Sequence, residues 1–297
     1  MEENEWLAER FEEHRGRLRS VAYRMLGSLT EADDALQDAW LRVSRAGADE
    51  VENLGGWLTT IVARVCLNML RSRNVRREEF FGVRLPDPII SPDRQLQPED
   101  EAVLADSVGL ALLVVLDTLT PAERLAFVLH DMFELPFEEI ATMIGRSPTA
   151  TRQLASRARR RVKGAEVPEP DPDLARQREV VDAFFMAARG RDFEALVSVL
   201  HPDVVLRSDF GATRPAASRV VRGAEAVARQ AFAGAGLAAA RLHAALVNGA
   251  AGVVVTVEGR PFAVMGFTVS DGKIVEIDAI GDPERVQRIA AAVLNEE

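Results

Sequence analysis

Apolar side chains recur at helical spacing from the start of the chain. Trp6, Leu7, Phe11, Leu18, Val21, Ala22, Met25 and Leu26 share a face and predict a helix over residues 5–28, closed by Gly27 and Ser28. Thr30, with Asp33 three residues later, resembles a capping box. It opens a second helix to about Arg45, with Leu36, Ala39, Trp40 and Val43 inward. The loop AGADEVENLGG leads to a third helix from Trp57 to about Arg73, which buries Leu58, Ile61, Val65 and Leu70. Periodicity then dissolves. Residues 79–104 carry prolines and acids where an apolar stripe would be needed, which predicts an extended acidic linker.

Helix resumes near Ala102 and runs through Val108, Leu112, Val115 and Leu116. Thr120-Pro121-Ala122-Glu123 is a capping box with proline at the first helical position. It starts a helix through Leu125, Phe127, Val128, Leu129 and Met132. Phe137, Ile140, Ala141 and Ile144 make one more helical stripe, which Gly145 ends. Ser147 then sits where an N-cap belongs, followed by Pro148. The last helix of this group carries Ala150, Leu154, Ala158 and Val162 on one stripe. Arg152, Gln153, Ser156, Arg157, Arg159, Arg160, Arg161 and Lys163 lie on the other. A short helix, a tight glycine turn and a basic amphipathic helix spell a helix-turn-helix within an all-α unit over 105–164. An ordinary helical hairpin with a solvated basic face would show the same charges.

A second proline-acid stretch, EVPEPDPD, marks a linker at 165–175. In 176–297, Val180, Val181, Phe184, Phe185 and Ala188 predict a helix, Phe193–Leu200 a shorter one and Gly223–Ala233 a third. LHPDVVLRSDFG reads as a turn into a strand. RLHAALVNG, AGVVVTVEG, PFAVMGFTVSDG and KIVEIDAIGD predict three or four antiparallel strands joined by turns such as Asn248-Gly249 and Asp271-Gly272. The fold class is multidomain: two all-α units, 1–78 and 105–164, and an α+β unit with a curved sheet over helices.

Charge changes this picture in one respect. The net charge is −10, which is wrong in sign for a nucleic-acid binder. Residues 1–173 hold 31 acidic and 22 basic side chains, yet two purely basic islands, Val62–Arg77 and Ser147–Lys163, lie inside them. Local patches decide phosphate contact, and the surrounding acid suppresses non-specific binding. That combination suggests a protein that reaches DNA with a partner's help. One cysteine, Cys66, and four scattered histidines predict neither a disulfide nor a metal site, and no cofactor is expected. An acidic N-terminus and the lack of an 18-residue apolar run predict neither signal peptide nor membrane span, hence a cytoplasmic protein.

Two further surfaces carry candidate chemistry. The second helix shows an acidic face, Glu31, Asp34, Gln37, Asp38 and Leu41, which the helix dipole alone would also favour. The third helix offers Thr60, Arg64, Asn68, Arg71 and Arg73 on its polar side, and with its preceding loop it could hold unstacked bases beside their phosphates.

The stretches TEADDALQDAW (30–40) and GWLTTI (56–61), with the basic helix that follows, resemble domain 2 of bacterial sigma factors of the extracytoplasmic-function (ECF) class. Residues 105–164 resemble their domain 4. The C-terminal unit is similar to SnoaL-like (NTF2-like) domains, as in the SigJ-like subgroup of these factors. Three subgroup motifs have partial counterparts: a linker motif at Arg84-Leu85-Pro86-Asp87-Pro88, a second at Asp209-Phe210-Gly211-Ala212-Thr213, and a late one at Asp282-Pro283-Glu284-Arg285-Val286. The resemblance implies roles. Asp34, Gln37, Asp38 and Leu41 would pack on core RNA polymerase. Asn53, Trp57, Thr60, Arg64, Asn68 and Arg71 would engage the −10 promoter element. Thr149, Arg152, Gln153, Ser156, Arg157 and Arg160 would face the −35 element, with Arg159, Arg161 and Lys163 nearer phosphates. The acidic linker would thread polymerase channels. Leu85, Pro86, Asp87, Asp209, Asp278, Asp282 and Pro283 would carry intramolecular contacts or line a pocket of the regulatory domain.

SnoaL-like folds also include isomerases and cyclases. Asp209, Glu276 and Asp278, with His201 and His243, are the side chains that such chemistry would use. A small-molecule sensor would instead line its cone with Phe184, Phe185, Phe262, Met265 and Phe267, positions that plain core packing also explains.

Overall fold

The computed structural model describes residues 2–46, 51, 53–77, 83–92, 109–165, 168–212, 214–235 and 240–294. They form two compact units. The first holds 2–77 and 112–165. The second holds 83–92, 109–111 and 168–294.

In the first unit, α1 (Glu2–Leu26), α2 (Leu29–Ala46) and α3 (Leu54–Arg77) pack pairwise. Leu7, Leu18, Met25, Leu36, Leu58 and Leu67 are almost fully buried between them. Each such side chain contributes about 1.5–3 kcal/mol of transfer free energy. Gly27, at φ 73°, closes α1 and donates its N–H to the Tyr23 carbonyl at 2.7 Å. The expected Thr30–Asp33 capping box is not formed. Helix α2 starts one residue earlier, and Asp33 receives Arg19 of α1 instead, Nε to Oδ1 at 2.8 Å. A two-pronged charged pair across the helical hairpin outweighs a cap made by a short aspartate. Helix α3 likewise begins before Trp57, because Asn53 caps it: its Oδ1 accepts the Gly56 N–H at 3.0 Å.

The unit continues with α4 (Leu110–Asp117), whose first two residues count with the second unit, α5 (Pro121–Phe127), α6 (Phe137–Ile144) and α7 (Pro148–Gly164). Thr120 and Glu123 cap α5 reciprocally. The helix expected to run on to Met132 changes after Phe127 into a π-turn, Val128–Met132. This turn sets the His130 ring on Phe137, with centroids 3.7 Å apart, and its Nδ1 2.9 Å from the Leu135 carbonyl oxygen. Gly145, at φ 71°, ends α6, and the Ser147 hydroxyl accepts the Ala150 N–H to start α7.

The second unit has α8 (Leu174–Gly190), α9 (Phe193–Ser198), α10 (Ala224–Ala235) and α11 (Pro283–Leu294) around a seven-stranded sheet. Its strands are β1 (Ile90–Pro92), β2 (Leu200–Asp209), β3 (Arg219–Arg222), β4 (Ala240–Val247), β5 (Ala250–Val257), β6 (Arg260–Ser270) and β7 (Lys273–Ile280). The order is β1-β4-β5-β6-β7-β2-β3, antiparallel throughout except for β2 beside β7. Asn248-Gly249, Glu258-Gly259 and Asp271-Gly272 all take paired positive φ, the geometry of two-residue hairpins. Strand alternation sends Leu206, Val253, Val255, Phe267 and Ile277 into one core with Val181 and Phe184 of α8 and Val227 of α10. The opposite face packs on α11. The α+β cone expected from the SnoaL-like resemblance is thus formed, with β1, β3 and α11 added to it. Part of the linker, residues 83–92, is extended as expected but belongs to this unit; 93–104 lie outside the described residues.

Candidate nucleic-acid interface

Helix α7 presents its polar face outward. Thr149, Arg152, Gln153, Ser156, Arg157 and Arg160 are all exposed, while Thr151, Ala155 and Ala158 are buried against the rest of the unit. The cations are less unopposed than the sequence implies. Arg152 meets Glu138 at 3.0 Å, Arg159 meets Asp131 at 2.5 Å and Arg161 meets Glu123 at 3.1 Å. All three acids precede α7, outside the acid-free stretch 147–163, so a linear count misses them. The Arg152–Glu138 pair is exposed on both sides and is worth about 0–1 kcal/mol, whereas Glu123 is buried in its capping box.

On α3, Arg64, Asn68 and Arg71 are exposed, Trp57 and Thr60 are half-buried, and the Thr60 hydroxyl is tied to the Gly56 carbonyl at 2.9 Å. Asn53 is exposed but already caps its own helix. Gly56 is needed beside it: a Cβ there would lie 2.7 Å from the Asn53 Nδ2. A pocket of about 350 Å³ opens at this helix start. Arg17, Asn53 and Thr59 line one side, Phe133, Glu134 and Glu139 the other. The helix-turn-helix part therefore stands across this pocket from the start of α3. Arg124, 1% exposed, fixes the two parts together: its Nε donates to the Arg24 carbonyl at 3.0 Å, and its Nη1 pairs with Asp117 at 3.0 Å.

The third candidate face is a straight stripe of α2. Asp34, Gln37, Asp38 and Leu41 are all exposed at i, i+3, i+4 and i+7, and Leu41 retains 46% of its surface. Ala35, Leu36, Ala39 and Val43 fill the buried side.

In the second unit, Leu85, Asp87, Asp209 and Asp282 converge on a residue that sequence reasoning passed over, Arg285. Its Nε donates to Asp87 Oδ1 at 2.7 Å, its Nη1 to Asp209 Oδ2 at 2.5 Å and its Nη2 to the Leu85 carbonyl at 2.6 Å. Asp209 also accepts the Leu85 N–H at 2.9 Å, and Asp282 accepts the Arg285 N–H at 3.0 Å. Pro86 is buried and Pro283 is the exposed first residue of α11. Gly211 explains its own place, since a Cβ would lie 2.0 Å from the Asp282 carboxylate. Thr213 lies outside the described residues.

Asp278 is not with this cluster. It is 3% exposed, and alternation puts it with Arg207 and Glu276 on the sheet face away from the α8 core. An outward, solvated position for Asp278 is thereby excluded. Arg207 donates to Glu276 at 2.7 Å and to Asp278 at 3.2 Å. Burial, opposed by Arg207 and aided by Glu276, pushes the Asp278 carboxyl up to about 6. Burial also pushes the Cys66 thiol up to about 12, which leaves it unreactive. The side chains considered for catalysis are separately engaged: Asp209 by Arg285, Asp278 and Glu276 by Arg207, His243 by Thr256 at 3.0 Å, and exposed His201 by its own turn. Phe184, Phe185 and Phe267 fill the cone with mutual edge contacts at 5.3–5.7 Å. Phe262 stands beside Phe210 and under Arg214, and Met265 is half-buried at the core's edge.

A capped helix-turn-helix, a second basic helix and an acidic helical face define a promoter-recognition factor, here with an α+β domain appended. Residues 10–76 match Sigma-70 region 2, and residues 109–162 match Sigma-70 region 4. The chain is 39% identical to the ECF RNA polymerase sigma factor SigJ of Mycobacterium tuberculosis, over 93% of this chain and 91% of that protein. It is 33% identical to the probable ECF RNA polymerase sigma factor SigI of the same organism, over 94% of each. The crystal structure of M. tuberculosis SigJ superposes with a TM-score of 0.73 at 36% identity, covering 94% of this chain and 97% of that one. The chain belongs to the ECF family of RNA polymerase sigma factors. Among the described residues no helix is long and apolar enough to cross a membrane.

Proposed function

We propose that the chain recruits core RNA polymerase through the α2 stripe and directs it to promoters in the cytoplasm. In this proposal α3 and its loop engage an opened −10 element, while the outer face of α7 reads a −35 element. The observation that carries it is the exposure of two separate basic faces, Arg64, Asn68 and Arg71 of α3 and the outer side of α7, together with an acidic face spaced at i, i+3, i+4 and i+7. The C-terminal domain regulates this activity by holding the linker through Arg285. Run-off transcription with core polymerase tests both parts, comparing the full chain with chains ending near Gly164 and near Gly281. Promoter-dependent transcripts are expected from every chain with both helical parts, in amounts that change when the C-terminal domain or α11 is removed. No transcript from any of them overturns the proposal; equal activity from all three overturns the regulatory part.

A further inference from the structure

Arg152 stands in the second turn of α7, where a recognition helix meets base edges. It is the one candidate base reader whose guanidinium is held by two neighbours on the preceding helix. Its Nη2 donates to Glu138 Oε1 at 3.0 Å. Its Cζ lies 5.4 Å from the Phe137 ring centroid. Phe137 is itself fixed, because His130 stacks on it at 3.7 Å and is anchored at the Leu135 carbonyl. A free arginine would pay rotamer entropy to reach any one base. Here the ring limits the guanidinium plane, the carboxylate takes a single N–H, and the other N–H groups keep the planar fork that matches guanine O6 and N7.

Resting on the −35 reading of α7, we propose that Phe137 and Glu138 are positioning residues that set Arg152 to read a guanine in the major groove. Glu138 also gives selectivity. Near DNA its charge opposes phosphate unless Arg152 stays paired with it, so a site lacking the guanine leaves the pair poorly matched. The device belongs to the first turn of the preceding helix, where neither residue would reach a base itself.

The test uses holoenzyme made from the full chain and core polymerase, with duplex promoters selected from a pool randomised upstream. Competition binding then gives the preference at each position. Wild type is expected to favour guanine at one position by roughly tenfold or more. Arg152→Ala should abolish that preference. Glu138→Ala and Phe137→Leu should each cut it at least threefold there and nowhere else, and Phe137→Tyr should retain it. Glu138→Ala should add nothing in the Arg152→Ala background. Glu138 is exposed, so it carries the test if Phe137→Leu unsettles the fold. An intact guanine preference in Glu138→Ala, a uniform change at all positions, or the same change without Arg152 overturns the proposal. If Arg152→Ala and other α7 substitutions leave every upstream preference unchanged, it is the −35 reading itself that fails.

Discussion

Arg285 and Asp87 stand 198 residues apart in the chain and are joined Nε to Oδ1 at 2.7 Å. The same guanidinium holds Asp209 and the Leu85 carbonyl, so one cation of α11 fastens the linker to β2. Burial works against the charge on Arg285, but Asp87 and Asp209 more than offset it and raise its pKa.

Arg285→Ala should therefore do more than remove a surface charge. It removes the cation that Asp209, only 2% exposed, shares with Asp87, while Asp87 keeps Arg288 at 3.2 Å. Breaking such a buried pair costs about 3–5 kcal/mol. Denaturant unfolding of the second unit should report a loss of this order, and hydrogen exchange at the Leu85 amide should accelerate. Unchanged protection at Leu85 would show that Asp209 holds this amide without Arg285.

What the sequence disclosed followed how local each signal is. The caps at Thr120 and Ser147 and the stop at Gly145 involve neighbours within four residues, and they appear in the structure as read. Strand β1 is three residues long, contains Pro92 and pairs with Val247, so no local pattern marks it. Strand β3, RVVR, is nearly as short. Helix α11 was not among the expected elements, although Asp282 caps it before Pro283 and Val286, Ile289, Ala290 and Val293 recur at helical spacing. The α7 face was legible, but its acidic partners were not, because Glu123, Asp131 and Glu138 come from other elements.

Asn248 holds the linker a second way. Its Oδ1 accepts the Ile89 N–H at 2.7 Å, its own N–H donates to the Ile89 carbonyl at 2.8 Å, and it turns the β4–β5 hairpin at φ 49°. Asn248→Ala loses the side-chain acceptor and strains the turn, whereas Asn248→Gly loses the acceptor without that strain. Both should destabilise, the glycine variant by about 1–3 kcal/mol and the alanine variant by more. Equal melting curves for the two variants would mean that the turn conformation carries no part of the effect.

Asp278 makes stability depend on pH. Its folded carboxyl titrates near 6, above the ordinary value of 3.8, so the native state binds the extra proton. Stability from this group is greatest at low pH and is lost as pH rises through about 6. Asp278→Asn mimics the protonated form and leaves Arg207 paired with Glu276. It should raise the melting temperature at pH 7.5 by several degrees and flatten the slope between pH 4 and 6, as calorimetry at both ends can measure. A lower melting temperature at pH 7.5 would instead make the Arg207–Asp278 contact net stabilising.

Leu41 separates recruitment from folding. At 46% exposure it contributes little to the core, so Leu41→Glu should leave thermal unfolding within about 0.5 kcal/mol of wild type. In the proposed complex the same side chain is the apolar end of a stripe whose acids, Asp34 and Asp38, precede it along α2. A charge at an apolar contact of an interface costs about 2 kcal/mol or more, which is at least tenfold in Kd. Asp38→Arg should weaken binding less at high salt than at low salt, because a rim charge is screened. Fluorescence anisotropy of labelled protein titrated with core polymerase reads both effects. Wild-type affinity in both variants would remove α2 from the polymerase interface, and weakened binding accompanied by a lowered melting temperature would assign Leu41 to the fold instead.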